Sequence, residues 1–332
     1  MITFKNILVG VDTSQPTTLI VERAVRLAQA HGAALTLVDG LPRLNWAQRM
    51  AWNDSQHVQD LLLAEKTGKL KKLVASLRKR GFSAKYRVLM GRTSEELVRQ
   101  VLRGKHDLLI RAAKGHLSAR GGAFGSTAFE LLRKCPCPVW LIPADQEGPI
   151  TRVLAAVDTN PERACHAELD QRILATALDI ARVMEARVDV MHAWSVYGEK
   201  IVRDYMKSDE FEQLQSTLRT EHGGCLDALV QQSGFTGGVE RVHLVRGDAK
   251  IEIPKFAKEN QIDLLVMGTL ARTGVAGVFL GNTLDMVLHQ VQCSVLALKP
   301  QGFVSPIRKR PPLAEPPPVD HLPKVLPQPP IP

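Results

Sequence analysis

Short, unbroken apolar runs alternate with segments of helical period along most of this chain. Ile7–Val11 is the first run and ends on Asp12 and a turn. Residues 17–30 then place Ile20, Val21, Ala24, Leu27 and Ala28 at helical spacing, since positions three and four apart share one helix face. Leu35–Val38 predicts a second strand, the polar stretch 41–60 a long connection, and the Lys-rich residues 61–79 a helix. Lys85–Leu89, Leu108–Ala112 and Val139–Ile142 predict three further strands, with helices over 93–102 and 126–134 between them. Thr93 and Glu96 have the spacing of a capping box, in which each side chain satisfies a free amide of the first turn. Runs that are apolar throughout, rather than alternating, belong to strands covered on both faces, so the pattern predicts a parallel sheet between two helix layers. Five strands per unit fit a doubly wound fold, whose ligands sit beyond the carboxyl ends of the strands where strand order reverses.

The pattern occurs twice. Ile7-Leu8-Val9-Gly10-Val11-Asp12-Thr13-Ser14 returns 146 residues later as Val153-Leu154-Ala155-Ala156-Val157-Asp158-Thr159-Asn160. His106-Asp107-Leu108-Leu109-Ile110 returns as Ile262-Asp263-Leu264-Leu265-Val266, and Cys137-Pro138-Val139 as Cys293-Ser294-Val295, both 156 residues on. Two copies of one α/β domain follow, over 1–147 and 148–300, a size that buries enough surface to stand without a staple. Residues 301–332 hold 11 of the 20 prolines. Such a segment cannot build a packed core and is expected to be a disordered tail.

Composition narrows the classes. With 45% hydrophobic and 23% charged residues, a wholly disordered or fibrous chain is excluded. Five scattered cysteines suit a reduced, intracellular protein better than a disulfide framework. No run reaches the ~18 apolar residues of a membrane helix, and the N-terminal run is too short for a signal peptide, so the expectation is a cytoplasmic protein. The net charge of +9 is unevenly placed: +11 over 1–147, −4 over 148–300 and +2 in the tail. A basic half beside an acidic half can orient two partners or two copies. The cluster Lys66, Lys69, Lys71, Lys72, Arg78, Lys79 and Arg80 reads as the exposed side of one helix. With 5% aromatics and no stacking pattern, nucleic-acid binding is not expected beyond a weak, salt-sensitive kind.

The candidate chemistry follows the fourth strand of each copy. In the second, Val266-Met267-Gly268 runs through Arg272-Thr273-Gly274 to Phe279-Leu280-Gly281-Asn282-Thr283. In the first, Ile110-Arg111-Ala112 runs through Lys114-Gly115-His116 to Phe124-Gly125-Ser126-Thr127. A strand, a Gly-rich loop and a helix opened by a hydroxyl or amide residue together suit a phosphate, because glycine lets backbone amides approach it. The same glycines also serve as turns, and Ser or Asn as helix caps.

These motifs resemble the universal stress protein family, over nearly the whole of residues 1–300. The resemblance rests on Gly, two residues, Gly, nine residues, then Gly with Ser or Thr. The second copy keeps that spacing with Gly268, Ala271, Gly281 and Asn282, and the first with Ala112, Gly115, Gly125 and Ser126. The Arg-Thr-Gly and Phe-Leu-Gly-Asn-Thr runs of copy two, with Leu-Leu-Arg-Lys-Cys-Pro-Cys-Pro-Val-Trp of copy one, are similar to the tandem, E-type bacterial members. The resemblance implies two Rossmann-like domains paired as an intramolecular pseudo-dimer, with the last strands Val139–Ile142 and Val295–Leu298 as candidate pairing edges, also for a homo-oligomer. It implies an adenine nucleotide such as ATP, with Mg²⁺ for a triphosphate. Asp12 and Asp158 would lie beside the adenosine and Met267, replaced by Arg111 in copy one, near the base. Gly268, Gly281, Asn282 and Thr283, or Gly115, Gly125, Ser126 and Thr127, would wrap the phosphates. Arg272, with Gly274 in the same loop, is the better anion candidate beside His116. The second copy is favoured as the live one, because Met267, Gly268 and Gly281-Asn282-Thr283 stand against an expected strand and helix. The implied role is a regulatory module of the stress response working through a partner protein. Two alternatives remain: a scaffold or carrier of a lipid or other small molecule whose altered loops no longer hold phosphate, and a slow ATP hydrolase.

No serine nucleophile elbow, Walker Lys-Ser/Thr loop or second metal-ligand pair accompanies these motifs, so no catalytic residues are assigned. Cys135-Pro136-Cys137 lacks a partner pair at zinc-site spacing and reads as a turn before a strand. His192, alone after its strand, reads as a histidine satisfied by a neighbour.

Overall fold

The computed structural model describes residues 3–44, 55–114, 123–144, 146–160, 167–269 and 281–308. Gly115, His116, Ala271, Arg272, Gly274 and the proline-rich tail beyond 308 lie outside the described residues.

The first half runs β1 (Asn6–Val11), α1 (Thr18–His31), β2 (Ala34–Leu41), α2 (Ser55–Lys79), β3 (Ala84–Met90), α3 (Thr93–Gly104), β4 (Leu108–Ala112), α4 (Ser126–Lys134) and β5 (Val139–Ile142). The second half runs β6 (Arg152–Val157), α5 (Ala167–Met184), β7 (Arg187–Trp194), α6 (Glu199–Tyr205), α7 (Ser208–Ser233), β8 (Val242–Arg246), α8 (Ala249–Glu259), β9 (Leu264–Gly268), α9 (Asn282–Leu288) and β10 (Ser294–Leu298). All five predicted strands of the first half are present, and α2 begins six residues before its predicted start. The capping box is not formed. Arg92 is the N-cap of α3 without a side-chain cap bond, the Glu96 carboxylate takes Arg99 instead, and the Thr93 side chain packs against Gly40.

Ten strands form one sheet in the order β3-β2-β1-β4-β5-β10-β9-β6-β7-β8. Every pairing is parallel except the central one, where β5 and β10 run antiparallel with Trp140 opposite Leu296. The expected pseudo-dimer is therefore a fused sheet. The same pairing corrects the expectation of an oligomer through the last strands: each edge is taken by the other, and a paired edge has no free amides or carbonyls for a second chain.

Both faces of the sheet are covered, which is why its strands are apolar throughout. One core lies under α1, α2, α5 and α7 and contains Leu27, Leu70, Ile173 and Leu226. The other lies under α3, α4, α8 and α9 and contains Val98, Leu131, Ile253 and Leu284. Each core runs across the junction between halves. On the first face the helices form a single layer. Arg80 beside α2 holds Glu22 of α1 through two bonds of 2.6 and 3.0 Å. His31 of α1 meets Asp179 of α5 at 2.8 Å, both side chains buried, and Gln171 of α5 donates to Gln232 of α7 at 3.2 Å.

Polar ties lock the junction. Arg23 is buried and donates to Ser294 Oγ at 3.1 Å and Gln146 Oε1 at 3.3 Å; burial lowers its pKa to about 10. Lys299 of the second half donates its Nζ protons to the Leu132 and Arg133 carbonyls at the end of α4, where a cation complements the helix dipole. Burial lowers the Lys299 pKa to about 8. Ser305 adds a bond to the Lys134 carbonyl at 2.7 Å.

Candidate functional site

In each half the strand order reverses, between β1 and β4 and between β6 and β9, which in such sheets opens a crevice beyond the carboxyl ends of the strands, and the antiparallel junction points the two in opposite directions. Asp12 and Asp158 follow the last residues of β1 and β6. Gly125 and Gly281 are the N-caps of α4 and α9, with φ of −90° and −58° and no side-chain cap bond. Any residue adopts such angles, so glycine is not required there by the backbone; its remaining advantage is close approach. Ser126 and Asn282 are exposed at the helix starts, with Thr127 and Thr283 half-buried beside them. The first amides of a helix have no partner within it, so both helix starts offer donors to the space past the sheet. Among the described residues, no group of three or more His, Cys, Asp or Glu side chains is placed to hold a metal ion.

The two crevices differ in chemistry. In the first, Arg111 on β4 stands opposite Gly10. Its Cγ and Nη1 come within 3.4 Å of the position a Gly10 Cβ would occupy, so its side chain lies across the end of β1. Asp12 and Asp39 provide the compensating charge, while burial lowers the Arg111 pKa. Asp39 is buried and accepts from Thr13 N at 2.9 Å, Thr13 Oγ1 at 2.6 Å and Lys66 Nζ at 2.7 Å. Asp12 also closes a local turn by accepting from Ser14 N at 3.1 Å.

In the second crevice Met267 stands opposite Ala156, the place Arg111 and Gly10 hold in the first. Met267 is 4% exposed and belongs to the core under α8 and α9. Gly268 has a packing reason of its own: a Cβ there would come within 2.9 Å of Leu169 Cδ2 on α5. The residue matching Asp39 is His192, since Asp39 pairs with Val11 and His192 with Val157. His192 Nδ1 lies 3.1 Å from the Val157 carbonyl. A carbonyl only accepts, so Nδ1 carries the proton, and in neutral His192 the Nε2 atom accepts from His222 Nδ1–H at 2.8 Å. Trp194 stacks on His222 at 5.9 Å. Burial pushes the His192 pKa down, which keeps the ring neutral. A buried Asp–Lys ion pair in one half is thus replaced by a histidine pair in the other. His192 is satisfied by its neighbours, as expected. Asp39 and His222 were not among the residues singled out from the sequence, and Lys66, read there as part of an exposed basic face, instead turns inward to Asp39. The available signal was that Lys66 and His222 are 156 residues apart, the offset of the later repeats.

Asp170 of α5 accepts from Asp158 N at 2.9 Å, just past the end of β6. Burial, aided by the Asp158 charge, raises its pKa to about 7. An acid with a raised folded pKa binds protons that the unfolded chain has released. Stability therefore falls as pH rises from about 4 to about 7 and levels off above it. Asp170→Asn keeps an acceptor for Asp158 N and removes the ionisation. We expect it to gain on the order of 2 kcal/mol at pH 8 and almost nothing near pH 4, measured as urea midpoints at both pH values. An equal gain at both would refute the assignment.

A family model, the universal stress protein family, matches residues 3–143 and again 149–299. The chain belongs to this family. As a tandem universal stress protein it is similar to universal stress protein E of Photorhabdus laumondii, 27% identical over 93% of this chain and 99% of the relative. It is likewise 26% identical to universal stress protein E of Escherichia coli K12, over 92% of this chain and 98% of the relative. A solved structure of a functionally unknown protein from Pseudomonas aeruginosa shares the fold, with a TM-score of 0.69 at 24% identity, covering 90% of this chain and 93% of that one. No helix among the described residues is long and apolar enough to cross a membrane.

Proposed function

We propose that this chain is a regulatory module of the cytoplasmic stress response that binds an adenine nucleotide in its second half and signals through a partner protein. The observation that carries the reading is the contrast between the crevices. The first holds its own cation, with Arg111 lying across Gly10. At the matching place the second has a methionine packed into the core, which leaves the space above Asp158 and the start of α9 without a charged side chain from β9. A purine needs an apolar, uncharged surface, and its phosphates need the free amides of Gly281, Asn282 and Thr283. Asp158 at the end of β6 stands where a ribose hydroxyl would find an acceptor. The departures at Ala271 and Asn282 remove one glycine and one hydroxyl from the motif, and Thr283 supplies a hydroxyl next door. Arg272 and Gly274 complete the phosphate loop in this reading.

The second reading is a scaffold or small-molecule carrier without a nucleotide, favoured by the packing role of Gly268 against Leu169. One titration separates the two. Calorimetry of the full chain with ATP and Mg²⁺ is expected to show micromolar binding. Gly281→Val, tolerated by the backbone at φ −58°, is expected to weaken it by at least about tenfold, or ~1.4 kcal/mol. Gly125→Val should leave it unchanged. Loss with Gly125→Val alone would move the site to the first half, and no binding by the parent chain would leave the carrier reading. Phosphate release over hours, followed in the same samples, tests the slow-hydrolase alternative.

A further inference from the structure

We propose that the helix layer formed by α2, α1, α5 and α7 is a self-complementary surface on which a second copy of this chain docks through charge. The two outer helices of that layer have opposite character. α2 carries six lysines and arginines against two acids, for a net charge of +4. α7 carries five acids against one arginine, for a net charge of −4. These are repeat-related helices, packed on one face of one sheet, so the divergence in charge is a property of the surface and not of the fold.

The outward charges are largely without compensation. Lys71, Lys72 and Lys79 of α2 are exposed and form no ion pair with the described residues. Glu210, Glu212, Glu221 and Asp227 of α7 are likewise exposed and form none. Lys66, by contrast, turns inward to Asp39, which marks the boundary between the α2 side chains that serve the fold and those that serve the surface. Like charges gathered on one helix repel one another and contribute nothing to the packing beneath.

The topology places the two clusters where a two-fold axis can use them. β5 and β10 are antiparallel, so the amino-terminal edge of the first half's strands is level with the carboxyl-terminal edge of the second half's. α2 ends at the former edge, just before β3, with Lys71, Lys72 and Lys79 in its second half. α7 starts at the latter edge, after β7 and α6, with Glu210 and Glu212 in its first turns. The basic cluster and the leading acids of α7, Glu210 and Glu212, therefore lie along one edge of the layer, basic at one corner and acidic at the other, with Glu221 and Asp227 farther along α7. Turning a second copy about an axis parallel to the strands and laying it face to face brings α2 of each chain onto α7 of the other. Such an isologous contact closes as a dimer and uses each charge cluster once. Its α1 and α5 centre stays common to both copies.

The test uses the full chain and four substitutions, all at exposed positions. Glu212 and Glu221 are chosen because they lie beyond the first turn of α7, where acids also support the helix dipole. Sedimentation velocity of the parent at ~20 mM salt should show a dimer. At ~500 mM salt, where the screening length falls to about 4 Å, its dissociation constant should rise at least about tenfold. Lys71→Glu with Lys72→Glu makes both corners acidic, and Glu212→Lys with Glu221→Lys makes both basic. Each double variant alone should be monomeric at low salt, with an unchanged circular dichroism spectrum. An equimolar mixture should form a heterodimer, because every acidic corner then meets a basic one. A monomeric parent at low salt, a variant that still dimerises alone, or a mixture that stays monomeric would each overturn the proposal. A monomeric parent that binds polyphosphate through α2 would replace the second copy with a polyanion.

Discussion

Asp39→Ala should destabilise the first half by about 3–5 kcal/mol, because it leaves Lys66 without its counter-charge and Arg111 with only Asp12. Asp39 is 3% exposed. It accepts from Lys66 Nζ and from both the amide and hydroxyl of Thr13, and it is one of two acids that balance Arg111. The large value comes from the asymmetry between breaking a buried ion pair and replacing it: removal of one partner strands a charge, whereas an uncharged pair of suitable shape removes the problem. The molecule contains that replacement. In the second half His192 and His222 occupy the matching positions and satisfy one another at 2.8 Å. The double variant Asp39→His with Lys66→His is therefore expected to recover a substantial part of the loss, with Arg111 still balanced by Asp12. Urea denaturation of the parent, the single and the double variant measures this. A single variant costing under ~1 kcal/mol, the range of an exposed pair, would show that the Asp39–Lys66 pair is solvated and not a structural unit.

Trp140→Ala is the second large effect, at about 3–5 kcal/mol. Trp140 is completely buried, and it sits on β5, paired with Ile110 on one side and Leu296 of the other half on the other. Truncation opens a cavity at the seam where the two halves share their sheet. Its cost should therefore be felt by both: far-UV signal and the fluorescence of the other tryptophans should be lost together at a lower urea concentration. Trp140→Phe is expected to cost much less. It keeps most of the apolar volume, and it removes an indole N–H that has no hydrogen-bond partner among the described residues. Two separated transitions in Trp140→Ala would show that the seam, though continuous, is not what couples the halves.

The proposed nucleotide site and the exposed dimer face are different surfaces of the molecule. The crevices lie at the ends of the strands, while the basic and acidic helices flank one face. A charge-reversed variant can therefore be titrated with ATP, and a Gly281→Val variant can be sedimented, to learn whether ligand and assembly are coupled. Coupling would appear as a nucleotide-dependent dissociation constant of the dimer.

Much of this was legible from the chain alone. Ile7–Val11 and Val153–Val157, apolar at every position, announce strands buried on both faces, because a two-sided burial removes the alternation that a one-sided sheet leaves. The 146- and 156-residue offsets announce the duplication, and the spacing of Gly268, Gly281 and Asn282 announces the family. These are local properties: period, composition and spacing. What the sequence left open is long-range. Nothing local states that Val139–Ile142 pairs antiparallel with Val295–Leu298 instead of with another chain, since a β edge is satisfied equally by either. The Thr93 and Glu96 pair carries the letters of a capping box, yet Glu96 has a stronger partner in Arg99. Arg111 and Met267 are one substitution apart in an alignment of the halves. Only the register of β4 against β1, with a glycine opposite, shows that the arginine lies across its own crevice. Hydrophobic period specifies which residues are inside; which buried charge meets which, and which edge closes on which, is decided by residues on different elements that only the folded sheet brings together.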